Sequence, residues 1–156
     1  MSNWYDIEDI QEIDSPSLVL YKEHLEFNLD AMLKMVNNKP KKLIPHIKTN
    51  KMPEVLSKYV NLGIKAFKSS TISEAEIAAK AGAESVLIAH QLVGPKIERF
   101  CNLIKTFPKT EFYTIVDNSI STEILNQTAI KHNLQIGTYI DVNNGMNRSG
   151  IKPREL

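Results

Sequence analysis

Cysteine is nearly absent from this 156-residue chain: Cys101 stands alone, which excludes an internal disulfide and a multi-cysteine zinc centre. A solitary cysteine inside a helical pattern is expected in the core. Long apolar runs are missing too, so no segment reaches the ~20 residues a membrane-spanning helix needs. The first fourteen residues are acidic and polar, without the basic start and apolar stretch of a secretory signal, and a cytoplasmic location is expected. Nor is there an excess of charge. Nineteen Lys+Arg against eighteen Asp+Glu leave a formal net charge of +1, which removes the electrostatic case for nucleic acid or an anionic membrane as partner. A small molecule is the expected partner. The four histidines, His24, His46, His90 and His132, show no metal-ligand spacing, so no metal site is expected within this chain.

What is there is alternation. After an arm or short helix at residues 4–13, expected to pack onto the main body, a β-prone run at 17–21 precedes Leu25, Leu29, Met32, Leu33 and Val36 at helical spacing. The pattern repeats: a strand at 42–48 and a helix at 54–62 opened by Pro53; a strand at 64–69 and an alanine-rich helix ending at Gly82, with Ser73 and Glu76 spaced as a capping box; a strand at 85–89 and a helix marked by Ile97, Phe100, Cys101 and Ile104; a strand at 111–116 and a helix at 121–132; a strand at 135–142. Residues 153–156 have the composition of another opening helical turn.

Strands and helices in alternation predict an α/β fold with a parallel sheet. No Gly-x-Gly-x-x-Gly or P-loop follows the first strand, which argues against an open doubly wound sheet. A complete (β/α)8 barrel needs roughly 200 residues or more. The expectation is therefore a (β/α)8 TIM-type barrel, present over residues 1–156 as an N-terminal portion with about six β-α units and unstable alone.

In such a barrel the strand carboxyl ends build the active-site face. His46, Lys48, Thr49 and Asn50, then Ser69, Ser70 and Thr71, then His90 and Gln91, and finally Asp141 to Arg148 all fall there. Lys48 in a barrel mouth can offer a neutral amine for a Schiff base; spacing alone favours a solvated surface lysine, as most lysines are exposed. His46 could orient a ring or hold a proton, or be a hydrogen-bonded structural histidine. Arg148, in the turn Gly145-Met146-Asn147-Arg148-Ser149-Gly150, could grip an anionic oxygen or be an ordinary loop arginine.

Pro45-His46-Ile47-Lys48-Thr49-Asn50-Lys51 resembles the Arg-Pro-His-x-Lys-Thr-His-Lys motif of the D-threonine aldolase and D-serine dehydratase group, related to the alanine racemase N-terminal domain and to fold type III pyridoxal-phosphate enzymes. Ile13-Asp14-Ser15-Pro16-Ser17-Leu18, Ser73-Glu74-Ala75-Glu76 and Leu92-Val93-Gly94-Pro95 resemble further motifs of the group in the same order, and Gly145-Met146-Asn147-Arg148 resembles the Gly-Met-Asn-Arg turn of alanine racemases. Ile44 stands where the group usually has arginine, and Asn50 where it usually has the second histidine.

The resemblance implies that Lys48 holds pyridoxal 5′-phosphate, with His46 beside the ring, Arg148 near the phenolic oxygen, and Asn50 and Gln91 as further contacts. It implies a lyase acting on a D-β-hydroxy amino acid, by retro-aldol cleavage or loss of water, with the ring as electron sink. It also implies a homodimer at full length, a C-terminal β domain beyond residue 156, and a divalent metal held by residues outside this chain, so that residues 1–156 alone carry the anchor without the activity. Other readings of the same motifs are a non-catalytic pyridoxal-phosphate carrier, an amino-acid racemase, and a barrel with a degenerate site.

Overall fold

The structure, a computed structural model, describes residues 3–153. Helix α1 (Lys22–Met35) comes first. From there α2 (Pro53–Asn61), α3 (Ile72–Lys80), α4 (Pro95–Thr106) and α5 (Ser119–Lys131) alternate with strands β1 (Ala66–Ser69), β2 (Ser85–Ile88), β3 (Glu111–Val116) and β4 (Gly137–Ile140). The four strands form one sheet in the order β1-β2-β3-β4, and every neighbouring pair is parallel. Because this order never reverses, the sheet has no topological switch point, the feature around which doubly wound folds build their sites. Consecutive parallel strands with a helix between each pair make the wall of a (β/α)8 barrel.

Local chemistry explains where the helices begin. Pro53 and Pro95 occupy the first turns of α2 and α4, where a missing N–H costs nothing. Asn118 caps α5 by accepting the amide of Ser121 at 2.9 Å. For α3 the cap is Thr71, whose Oγ1 accepts the Glu74 amide at 3.1 Å. The expected box at Ser73 and Glu76 is thus corrected: the same S/T-x-x-E spacing exists two residues earlier, as Thr71-Ile72-Ser73-Glu74.

One register row, Phe67, Val86 and Phe112, turns toward the helices and is buried with Ala75, Ala78 and Phe100. The alanines of α3 let that helix lie close on the strands. Cys101 is fully buried in this layer, as expected, and burial pushes its thiol up. The next row, Lys68, Leu87, Tyr113 and Gly137, lies on the opposite, half-buried face. At Gly137 a Cβ would stand 2.6 Å from the Tyr113 ring, so the ring lies where a side chain would otherwise be.

Two expected strands are not strands. Residues 17–21 run extended without a partner among the described residues, and Leu18 is fully exposed. Apolar composition gave that run β propensity, but a strand also needs a neighbour. Within 42–48, a 3-10 turn covers Pro40–Lys42, a second covers Ile47–Thr49, and a single parallel bridge joins His46 to Lys68 beside β1. Pro45 accepts the Lys68 amide at 2.9 Å through its carbonyl but has no N–H to return, so the ladder stops there. The arm does pack as expected: Trp4 meets Tyr21 edge-on and His24 at a tilt at the start of α1, and the Tyr21 hydroxyl donates to the Tyr5 carbonyl at 2.9 Å. The helix start expected at 153–156 lies almost wholly outside the described residues.

Candidate functional site

Segment 45–51 lies against β1 and presents Lys48. Ile47 is 1% exposed and anchors the segment in the core, while Lys48 beside it is exposed. Ile47 thus faces the core and Lys48 the solvent, in a 3-10 turn rather than the expected strand. His46 caps that turn, its Nδ1 accepting the Lys48 amide at 3.3 Å. Its Nε2 lies 3.3 Å from Ser70 Oγ, in the loop that follows β1.

An Nδ1 that accepts from an amide must be unprotonated, so the neutral ring carries its hydrogen on Nε2 and donates it to Ser70. Burial, and then the positive charges of Lys68 and Lys48, hold the His46 pKa below the ordinary imidazole value. Neither of those lysines has an acidic partner within ion-pair distance among the described residues. A neutral imidazole flanked by two free cations is an arrangement suited to an anionic ligand.

Behind this surface lies a buried carboxylate. Glu74 is 3% exposed; its Oε2 accepts the Ser70 amide at 2.7 Å and its Oε1 lies 3.5 Å from the Lys51 ammonium. Asn50, next to Lys51, has a buried Oδ1 with no hydrogen-bond partner. Buried acceptors are nearly always paired, so an unpaired one beside the lysine marks a place for a donor.

The ends of β2, β3 and β4 converge on Gln91. Its Nε2 donates to Asp117 Oδ2 at 2.7 Å and to Asp141 Oδ2 at 3.3 Å, joining three strand ends and leaving its carbonyl oxygen for other contacts. His90 is exposed and meets only the adjacent Gln91 carbonyl through its ring, at 3.0 Å. Arg148 is exposed in the loop after β4, with no ion pair among the described residues. That loop is tightly made. Asn143 Oδ1 accepts the amides of Gly145 and Asn147 at 3.0 and 3.1 Å, and Val142 bridges Ile151 to close it. Gly150, at φ +91, passes so near Asn143 that a Cβ would stand 2.6 Å from its amide nitrogen.

The structure thus joins His46 and Lys48 directly. It sets Asn50 two residues beyond Lys48 in the same segment, and puts Gln91 and Arg148 at neighbouring strand ends with no hydrogen bond to the lysine turn among the described residues. Sequence reasoning missed Lys68 and Asp117, took in Asn143 only within the stretch Asp141 to Arg148, and noticed Glu74 only as part of a motif. The signals were present in part: Asp117 follows a strand directly, and an Asn opening Asn-Asn-Gly is a common turn former.

A match to the family model described as alanine racemase, N-terminal domain, covers residues 21–156. The chain belongs to this family. A D-threonine aldolase of an Arthrobacter species is 28% identical over 148 residues, and a 3-hydroxy-D-aspartate aldolase of Paracoccus denitrificans is 28% identical over 149. Each alignment covers 94% of this chain and 38% of the relative, so this alanine racemase-type domain spans little more than a third of their length. The crystal structure of D-threonine aldolase from Filomicrobium marinum superposes with a TM-score of 0.80 at 28% identity, over 92% of this chain and 38% of that one. That agreement assigns the parallel sheet to the family's TIM barrel. Among the described residues no helix is long and apolar enough to cross a membrane.

Proposed function

We propose that this domain belongs to a pyridoxal-phosphate-dependent lyase that acts on a D-β-hydroxy amino acid, with Lys48 as the cofactor's anchor. The observation that carries the reading is the lysine turn: an exposed primary amine without an acidic neighbour, pinned beside a neutral imidazole at the end of a barrel segment. The residues present fit the group. Lys48 supplies the amine, the charges of Lys48 and Lys68 favour an anion, and the unpaired Asn50 oxygen is an acceptor awaiting a donor. When bound, pyridoxal phosphate supplies an electron sink for breaking a bond at the substrate's α or β carbon.

The chain's own residues divide the remaining work. Both His46 nitrogens are engaged, one by the Lys48 amide and one by Ser70, which fixes the ring and leaves its face to orient the cofactor. The Lys48 amine is then the group that moves the proton. Arg148 is held on an ordered loop with its guanidinium free to meet an oxygen anion. The two aldolase relatives, at 28% identity, favour carbon–carbon cleavage over loss of water.

The test uses the protein at its full natural length. Added pyridoxal phosphate gives a visible absorbance band that borohydride fixes on Lys48, and Lys48→Ala lacks both; a band unchanged in the variant sinks the assignment. D-threonine then yields glycine plus acetaldehyde, and 3-hydroxy-D-aspartate yields glycine plus glyoxylate. Pyruvate and ammonia from D-serine would indicate the dehydratase instead, and release of the opposite enantiomer alone a racemase.

A further inference from the structure

The turn that presents Lys48 ends in an unfavourable conformation. Lys51 has φ +49, in the left-handed region that few residues other than glycine and asparagine adopt, and its amide closes the turn onto the Ile47 carbonyl at 3.1 Å. Something must hold it there, and its ammonium lies 3.5 Å from Glu74 Oε1. The other oxygen of the same carboxylate accepts the Ser70 amide, and Ser70 in turn meets His46 at the beginning of the turn. Helix capping does not ask for this. In a capping box the third-position carboxylate returns to the N–H of the cap residue, here Thr71; Glu74 passes it by and takes the Ser70 N–H instead. Its ion pair with Lys51 reaches outside the helix altogether, and it is made by a side chain that is itself almost fully buried.

We propose that Glu74 is a positioning residue for the Lys48 turn, clamping it at its end through Lys51 and at its start through Ser70 and His46. The inference rests on Lys48 being the cofactor's anchor for its consequence, but not for its geometry. With the clamp intact, the amine of Lys48 and the ring of His46 keep one relative placement. Without it, Lys51 relaxes out of the left-handed region and the turn samples arrangements in which the two separate.

Glu74→Gln in the full-length protein keeps the size and the acceptor for Ser70 while removing the charge that holds Lys51. The expected result is that the pyridoxal phosphate concentration giving half of the visible band rises about tenfold, the dilution produced when one molecule in ten holds the competent turn. Adding Lys51→Asn, a residue that tolerates the left-handed region, restores most of that loss. A purely structural role at the start of α3 gives no such rescue. Half-saturation unchanged in Glu74→Gln, or a loss that Lys51→Asn leaves in place, overturns the inference. Cofactor-free nitrogen spectra of the imidazoles separate it from the anchor assignment: His46 should hold its hydrogen on Nε2 in the natural protein and average between tautomers in Glu74→Gln. Ser70→Ala, which cuts only the arm to His46 and leaves the buried ion pair, should cause the same averaging. If the natural protein gives no visible band, the anchor fails while averaging still supports the clamp; a His46 spectrum unchanged in both variants refutes it.

Discussion

His46 shows how much of this site is set by single atoms. Its lowered pKa means that the folded protein binds fewer protons than the unfolded chain as pH falls through the ordinary imidazole value of about 6.5. Stability therefore rises with pH across that window: the contribution is fully present above about pH 6.5 and is lost as pH drops toward the lowered folded value. His46→Gln keeps a polar side chain and removes the titration, so denaturant midpoints measured from pH 5 to 7 should depend less on pH in the variant. An unchanged slope would assign the dependence to another group.

The next scale is the element, and here α3 carries the argument. Thr71 both caps α3 and borders the loop in which Ser70 meets His46, so Thr71→Ala should cost about 1 kcal/mol of stability in denaturant unfolding. Gly137 is the opposite kind of constraint. Gly137→Ala drives a Cβ to 2.6 Å from the Tyr113 ring and should cost about 1–3 kcal/mol, with Tyr113→Ala in the same chain recovering part of it. A Gly137→Ala protein as stable as the natural one would show that the ring moves freely. The elements legible from sequence, α1 to α5 and β1 to β4, show clear periodicity, and several are bounded by a strong local signal such as Pro53, Pro95 or Gly82. Residues 17–21 and 42–48 misled because strand propensity says nothing about partners, and Pro45 should have weighed more heavily against the second. Lys48 was legible because its motif is contiguous. Glu74 was not, because its role arises only when α3 folds back onto a segment far away in sequence.

At the scale of the molecule, stability is concentrated on one side of the sheet. Phe100 is fully buried between α4 and the strands and meets Phe112 edge-on with centroids 6.4 Å apart, so Phe100→Ala should cost about 3–5 kcal/mol. The β4 edge of the sheet is left open. Tyr139 and Ile140 on β4 are 54% and 61% exposed, and among the described residues β4 pairs only with β3 in the sheet, which leaves a row of its backbone donors and acceptors without a strand partner along its outer edge. An unpaired edge carrying apolar side chains is a template for pairing with another chain. Residues 1–156 expressed alone should therefore self-associate with rising concentration. Ile140→Lys puts a charge on that edge and should shift the sedimentation profile toward monomer, while the same lysine at Ile130, on the outer surface of α5 and 69% exposed, should not. Equal effects from the two substitutions would mean that net charge, and not the open strand, governs the association.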